Sequence, residues 1–88
     1  MGNRLMFTVV IEKKAKKFID KLPQGERRRL VAAIEKLPEG DDIKPLKGHD
    51  GLLRLRVGRY RIIYTIDNGK LQVIVIAADS RGQIYKHL

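Results

Sequence analysis

Residues Leu53–Ile66 read LRLRVGRYRIIYTI, and their alternation decides the fold. Leu53, Leu55 and Val57 alternate with Arg54 and Arg56; Tyr60, Ile62, Tyr64 and Ile66 alternate with Arg61, Ile63 and Thr65. Successive side chains of a strand point to opposite faces, so each half reads as a half-buried strand. Gly58-Arg59 has the length of a two-residue hairpin loop. That loop sets the register: Val57 pairs with Tyr60, Arg56 with Arg61 and Arg54 with Ile63. The three arginines then share one face, and the leucines, Val57, Ile62 and the tyrosines share the other. Like charges directly across a ladder are destabilising. The cluster therefore reads as groups gathered to hold something anionic. The other reading is the solvated outer face of a sheet in a very basic protein.

The rest of the composition bounds the partners. The 88 residues suffice for one domain, 1–88, with a modest core. Nineteen Lys and Arg against ten Asp and Glu give a net charge of +9. A field of that sign attracts polyanions: nucleic acid or a ribonucleoprotein first, then an acidic protein, then an anionic membrane surface. There is no cysteine, which excludes disulfides and thiolate metal sites. That fits a reducing cytosol, and a cytoplasmic location is expected. No apolar run approaches the roughly 20 residues of a membrane span. Met1-Gly2-Asn3-Arg4 carries one charge before a short strand-like run, which is not the pattern of a signal peptide.

Taken in order, Arg4–Ile11 is β-branched and aromatic and reads as a first strand, its continuous apolar character pointing to a central position. Glu12–Leu22 switches to helical period, with Ala15, Phe18, Ile19 and Leu22 on one stripe and five lysines on the rest. Pro23 ends that helix. After a short turn, Glu26–Leu37 repeats the spacing with Leu30, Ala33, Ile34 and Leu37, and opens on Arg27-Arg28-Arg29. Two amphipathic helices with a short turn imply an antiparallel hairpin. Their basic runs read first as solvated faces, with phosphate contact as the second reading. Pro38–Gly51 is punctuated as a loop. After the arginine hairpin, Asp67-Asn68-Gly69-Lys70 signals a type I′ turn. Leu71–Ala78 is the last strand, its register placing Ile76 opposite Arg61. Asp79–Leu88 is a turn and tail carrying Arg81 and Tyr85. The expected fold is α+β, a two-layer β-α-α-β-β-β arrangement with the helical hairpin packed on an antiparallel-meander sheet. The face bearing Arg54, Arg56 and Arg61 is expected to stay open.

The stretches Leu46-Lys47-Gly48, Leu53–Tyr64 and Arg81-Gly82-Gln83-Ile84-Tyr85 resemble the RelE family of toxins from type II toxin–antitoxin modules, within the RelE/ParE superfamily. The likeness covers nearly the whole chain. It implies a microbial RNase-like, RelE-type fold and a ribosome-dependent endoribonuclease that cuts messenger RNA in the decoding site of the small ribosomal subunit. The reaction it implies is metal-independent attack of a ribose 2′-hydroxyl on the adjacent phosphate, which halts translation. It also implies a cognate antitoxin, and neither cofactor nor metal. Residue by residue, Arg54, Arg56, Arg61, Arg81 and Tyr85 match the family's catalytic positions. Lys47 and Arg59 join Arg54, Arg56 and Arg61 as expected RNA contacts.

The chemistry suits these residue types with one gap. Fixed guanidiniums stabilise the charge that grows on a pentacoordinate phosphate. Arginine, however, stays protonated and is a poor general base. Tyr85 is the remaining candidate, either assisting the 2′-hydroxyl or stacking on a base, with Arg81 neutralising the leaving 5′-oxygen. His49 and His87 read as ordinary loop and tail histidines. Two other functions are compatible with the fold: a non-enzymatic DNA gyrase poison of the ParE branch, or a basic binding module without catalysis.

Overall fold

The computed structural model describes residues 7–40 and 42–80. The elements run β1 (Thr8–Ile11), α1 (Lys13–Asp20), α2 (Gln24–Glu35), β2 (Ile43–Pro45), β3 (Leu53–Val57), β4 (Tyr60–Asp67) and β5 (Gln72–Ser80). One five-stranded sheet has the order β1-β5-β4-β3-β2. β1 lies parallel to β5, and the other pairs are antiparallel.

The helical hairpin covers one face of this sheet. Ala15 and Ile19 of α1 and Leu30 and Ile34 of α2 pack with Leu55, Ile62, Tyr64, Val73 and Val75 in the core. Phe18 and Leu22 lie at the margin of that cluster, completing the stripe that the helical period predicts. Glu12 caps α1 without a side-chain bond. Its own N–H donates to Val75 O at 2.9 Å, so the sheet satisfies a donor that the cap leaves over. α2 begins at Gln24, two residues ahead of the expected Glu26, because Pro23 is already extended and supplies the carbonyl for Arg27 N–H.

Three details of the sheet differ from the sequence expectation. β1 is an edge strand rather than a central one, with β5 as its partner. Its burial alternates accordingly, Thr8 and Val10 being exposed and Val9 and Ile11 half-buried. The segment read as a loop contains β2, whose Lys44 lies opposite Arg54 and Ile43 opposite Leu55. A three-residue strand holding Pro45 is too short to show a period.

The third difference repositions a functional residue. The β3–β4 hairpin has the predicted register, with Gly58 at φ +59 in a two-residue loop. The β4–β5 connection does not: Asp67 pairs with Gln72, not Lys70, leaving a four-residue loop. The Asp67 carboxylate accepts the Lys70 N–H at 3.0 Å. Leu71 takes φ 52, and its carbonyl accepts the Thr8 N–H at 2.8 Å. The side-chain capture and the β1 contact together outweigh the Asn-Gly preference for a tighter turn. A bulge follows, because Tyr64 pairs with Val75 while Ile63 pairs with Ala77. Arg61 consequently stands opposite Asp79 and not Ile76. Asp79 and Ser80, expected in a terminal turn, belong to β5.

Candidate functional site

Strand pairing alone brings the arginines together. Arg54 and Arg56 are alternate residues of β3, and Arg61 lies directly across from Arg56 on β4. Leu55, between the two β3 arginines, is buried in the core on the other face. The alternation that fills the core therefore also presents the guanidiniums on the opposite side.

A single carboxylate organises two of them. Asp42 Oδ1 accepts a hydrogen bond from Arg54 Nη2 at 2.9 Å, and Oδ2 accepts one from Arg56 Nε at 2.7 Å. The Asp42 carbonyl also accepts the Arg56 backbone N–H at 3.0 Å. Arg54 is 13% exposed in its side chain and Arg56 is 51% exposed. Arg54 Nε is buried and makes no hydrogen bond among the described residues. An exposed ion pair contributes about 0–1 kcal/mol. Withdrawing one partner from a largely buried guanidinium costs several times that. Asp42 is thus worth more to Arg54 than to Arg56.

The expected open face is therefore corrected. Arg54 is mostly sequestered and internally paired. Ile63, on the same face as its partner Arg54, is fully buried although it stands outside the main core. Toward the far end of this face the carbonyl of Gly51, from the loop between β2 and β3, accepts a hydrogen bond from Oγ1 of half-buried Thr65 at 2.8 Å. At the other end Arg56 is exposed and Arg61 is half-buried. There the like-charge pair is bracketed in one row, by Asp42 beside Arg56 and by Asp79 across from Arg61. Asp79 also accepts the Ser80 N–H at 2.7 Å.

The other predicted residues are distributed around this centre. Lys47 lines a shallow depression of about 330 Å³ together with Lys44, Pro45, Leu46 and Arg54. Lys44 is a cation that the sequence reading missed, because the loop assignment hid its pairing with Arg54. Arg59 is not brought to the cluster. It folds back at the hairpin tip, its guanidinium 5.4 Å from the Tyr60 ring centroid and its Nη2 bonded to the Tyr60 hydroxyl and Glu26 Oε1. The hydrogen bond to Tyr60, then the charges of Tyr60 and Glu26, raise its pKa above an already high ordinary value. The Tyr60 hydroxyl donates in turn to Glu26 of α2, and its ring meets Phe18 of α1 edge-on, the centroids 6.0 Å apart. His49 lines a cavity with Leu52, Ile76 and the start of α1, and neither Arg56 nor Arg61 lines it. Arg81, Tyr85 and His87 fall outside the described residues.

Residues 9–85 match the model of the ParE toxin family, the toxin of the type II toxin–antitoxin system parDE. This chain belongs to the RelE/ParE family of type II toxins. A protein of Methanocaldococcus jannaschii, named as a candidate toxin RelE1, is 30% identical, the match covering 94% of this chain and 99% of that one. The toxin also resembles the archaeal RelE–RelB complex of Pyrococcus horikoshii. That match has a TM-score of 0.72 and 28% identity, over 89% of this chain and 98% of the other. The RelBE2 toxin–antitoxin complex of Mycobacterium tuberculosis gives a TM-score of 0.69 at 28% identity, over 85% and 98% of the two chains. Two helices on a five-stranded mixed sheet are the architecture shared with RelE toxins.

Proposed function

We propose that this toxin is a ribosome-dependent endoribonuclease that cuts messenger RNA within the decoding site of the small ribosomal subunit. The observation that carries the reading is the juxtaposition of exposed Arg56 and half-buried Arg61 across β3 and β4. Two guanidiniums held side by side against their own repulsion suit a ligand with at least two negative oxygens. A phosphodiester passing to a pentacoordinate state is such a ligand, and its charge grows as the reaction proceeds.

The step is intramolecular in the RNA. The 2′-oxygen bonds to phosphorus, the bond from phosphorus to the 5′-oxygen breaks, and a 2′,3′-cyclic phosphate remains. The 2′-hydroxyl loses its proton and the 5′-oxygen gains one. Arg56 and Arg61 neutralise the equatorial oxygens. We assign Arg81 to the leaving oxygen and Tyr85 to the 2′-hydroxyl or to stacking on a base. A site rich in fixed positive charge and poor in proton acceptors depends on a substrate already bent for in-line attack. Positioning of that kind supplies several kcal/mol. The ribosome is the proposed source of the bend, and Lys47 and Lys44 are proposed to contact the flanking backbone. The related toxins of P. horikoshii and M. tuberculosis are described as complexes with RelB-type antitoxins. We extend this to a cognate antitoxin here, whose acidic groups would offset the +9 charge.

Codon cleavage on programmed ribosomes tests the reading, followed by primer extension. In-frame cuts with wild type, and loss of cutting with Arg61→Ala, are expected. Unchanged rates for Tyr85→Phe at every pH would remove the proton-transfer role. The family model that matches is named for ParE, which favours a second reading, a non-enzymatic DNA gyrase poison. Gyrase-dependent DNA breaks with intact messenger RNA would establish that alternative.

A further inference from the structure

Asp42 has no place in the reaction just proposed, yet it is the group most closely engaged with the arginines. Its two carboxylate oxygens are divided between them, Oδ1 to Arg54 Nη2 at 2.9 Å and Oδ2 to Arg56 Nε at 2.7 Å. Its carbonyl takes the Arg56 N–H, so backbone and side chain register the same strand. Two roles are conceivable for such a carboxylate, and they have opposite signs. It could occupy the seat of the substrate phosphate, so that RNA must displace it. Or it could orient the guanidinium that meets the phosphate.

The geometry favours orientation. The bond to Arg56 is made at Nε, which leaves both terminal amino groups unengaged by Asp42 on a side chain that is 51% exposed. A competitor for the phosphate would occupy those terminal groups. Arg54, by contrast, gives a terminal nitrogen to Asp42 and is 13% exposed. With that nitrogen committed, Arg54 is well placed to hold the carboxylate. We propose that Asp42 is the positioning residue of this site: braced by Arg54, it fixes the guanidinium plane of Arg56 toward the scissile phosphate. Arg54 then acts through Asp42, and Arg56 is the arginine of β3 that touches RNA. The inference rests on the nuclease reading for its consequence and on the Asp42–Arg56 bond for its premise.

The test uses Asp42→Asn, which keeps the shape and removes the charge, and Asp42→Glu, which keeps the charge. On programmed ribosomes Asp42→Asn should lower kcat about tenfold or more with KM within about twofold. Asp42→Glu should recover part of the loss. In an Arg56→Ala background, Asp42→Asn should cost less than about twofold, since the group it orients is gone. In the free toxin, the Arg56 Nε–Hε resonance, assigned with Arg56→Lys, should be shifted and protected in wild type and collapse to the exposed position in Asp42→Asn. A rise in RNA affinity or cleavage with Asp42→Asn would overturn the proposal, making Asp42 a competitor. So would an equal loss in the Arg56→Ala background, or an Arg56 resonance indifferent to the substitution. Wild-type toxin that cuts no codon sinks the nuclease reading instead, because the arginine resonance is read without RNA and judges the Asp42–Arg56 bond by itself.

Discussion

Arg61 stands directly opposite Asp79 in the β4–β5 ladder, and directly opposite Arg56 in the β3–β4 ladder. One cation is thus placed between a like charge and an unlike one. The cross-strand repulsion costs a few tenths of a kcal/mol up to about 1 kcal/mol, and among the described residues Arg61 makes no ion pair with Asp79 that would outweigh it. Arg61 therefore contributes little to stability, and its substitution should report on function. Arg61→Ala should melt within a few degrees of wild type while losing on the order of 100-fold or more in codon cleavage. Loss of cooperative melting would show that the residue serves the fold instead.

Tyr60 ties the hairpin tip to both helices through Phe18 and Glu26. Tyr60→Phe keeps the ring and deletes the hydroxyl that donates to the Glu26 carboxylate. Hydrogen bonds to charged groups contribute about 1.5–3 kcal/mol. Urea unfolding should show a loss of that order. A change under about 0.5 kcal/mol would mean that water replaces the bond without cost.

Ile63 is fully buried on the side of the sheet that carries the arginines. On an open face, Ile63→Ala would be nearly neutral. With the face covered at this point, it should cost about 2–5 kcal/mol, comparable to Ile62→Ala in the main core. Paired urea titrations of the two variants decide between these.

Burial raises the pKa of the Tyr64 hydroxyl above its ordinary 10.0. The folded state therefore holds the phenol neutral where the unfolded chain would release its proton. The resulting stability is complete below pH 10 and is lost as pH rises from there through the folded value. Thermal melts between pH 8 and 11 should show wild type falling faster than Tyr64→Phe above pH 10. Parallel curves would exclude Tyr64 as the source.

Lys47 lies in the basic depression beside Lys44 and Arg54. If it meets one backbone phosphate of single-stranded RNA, Lys47→Ala should reduce the slope of log K against log salt by about 0.7. Binding titrations on a 2′-deoxy RNA analogue at several salt concentrations measure this. An unchanged slope would remove Lys47 from the interface.

Much of this toxin was legible in the chain itself. Alternation in Leu53–Ile66 placed three arginines on one sheet face and predicted the β3–β4 register residue for residue. The spacing of Ala15, Ile19, Leu30 and Ile34 gave the helical hairpin and the face it covers. Local rules suffice there because periodicity and a two-residue loop leave one solution. The motif around Arg54, Arg56 and Arg61 pointed to the family that the comparisons established.

Tertiary structure decided which arginines are available. Asp42 was hidden in a Pro- and Gly-rich stretch, and no local pattern announces a carboxylate that clamps a strand twelve residues on. The four-residue loop after β4 and the bulge at Ile63/Tyr64 moved Asp79 across from Arg61. The loop is held by contacts with Thr8 and Lys70 that lie outside the period of the strands. The sequence by itself determined which side chains share a surface, because backbone periodicity is local. Which of them face solvent, and which face a carboxylate, was settled only by the packing of segments distant along the chain.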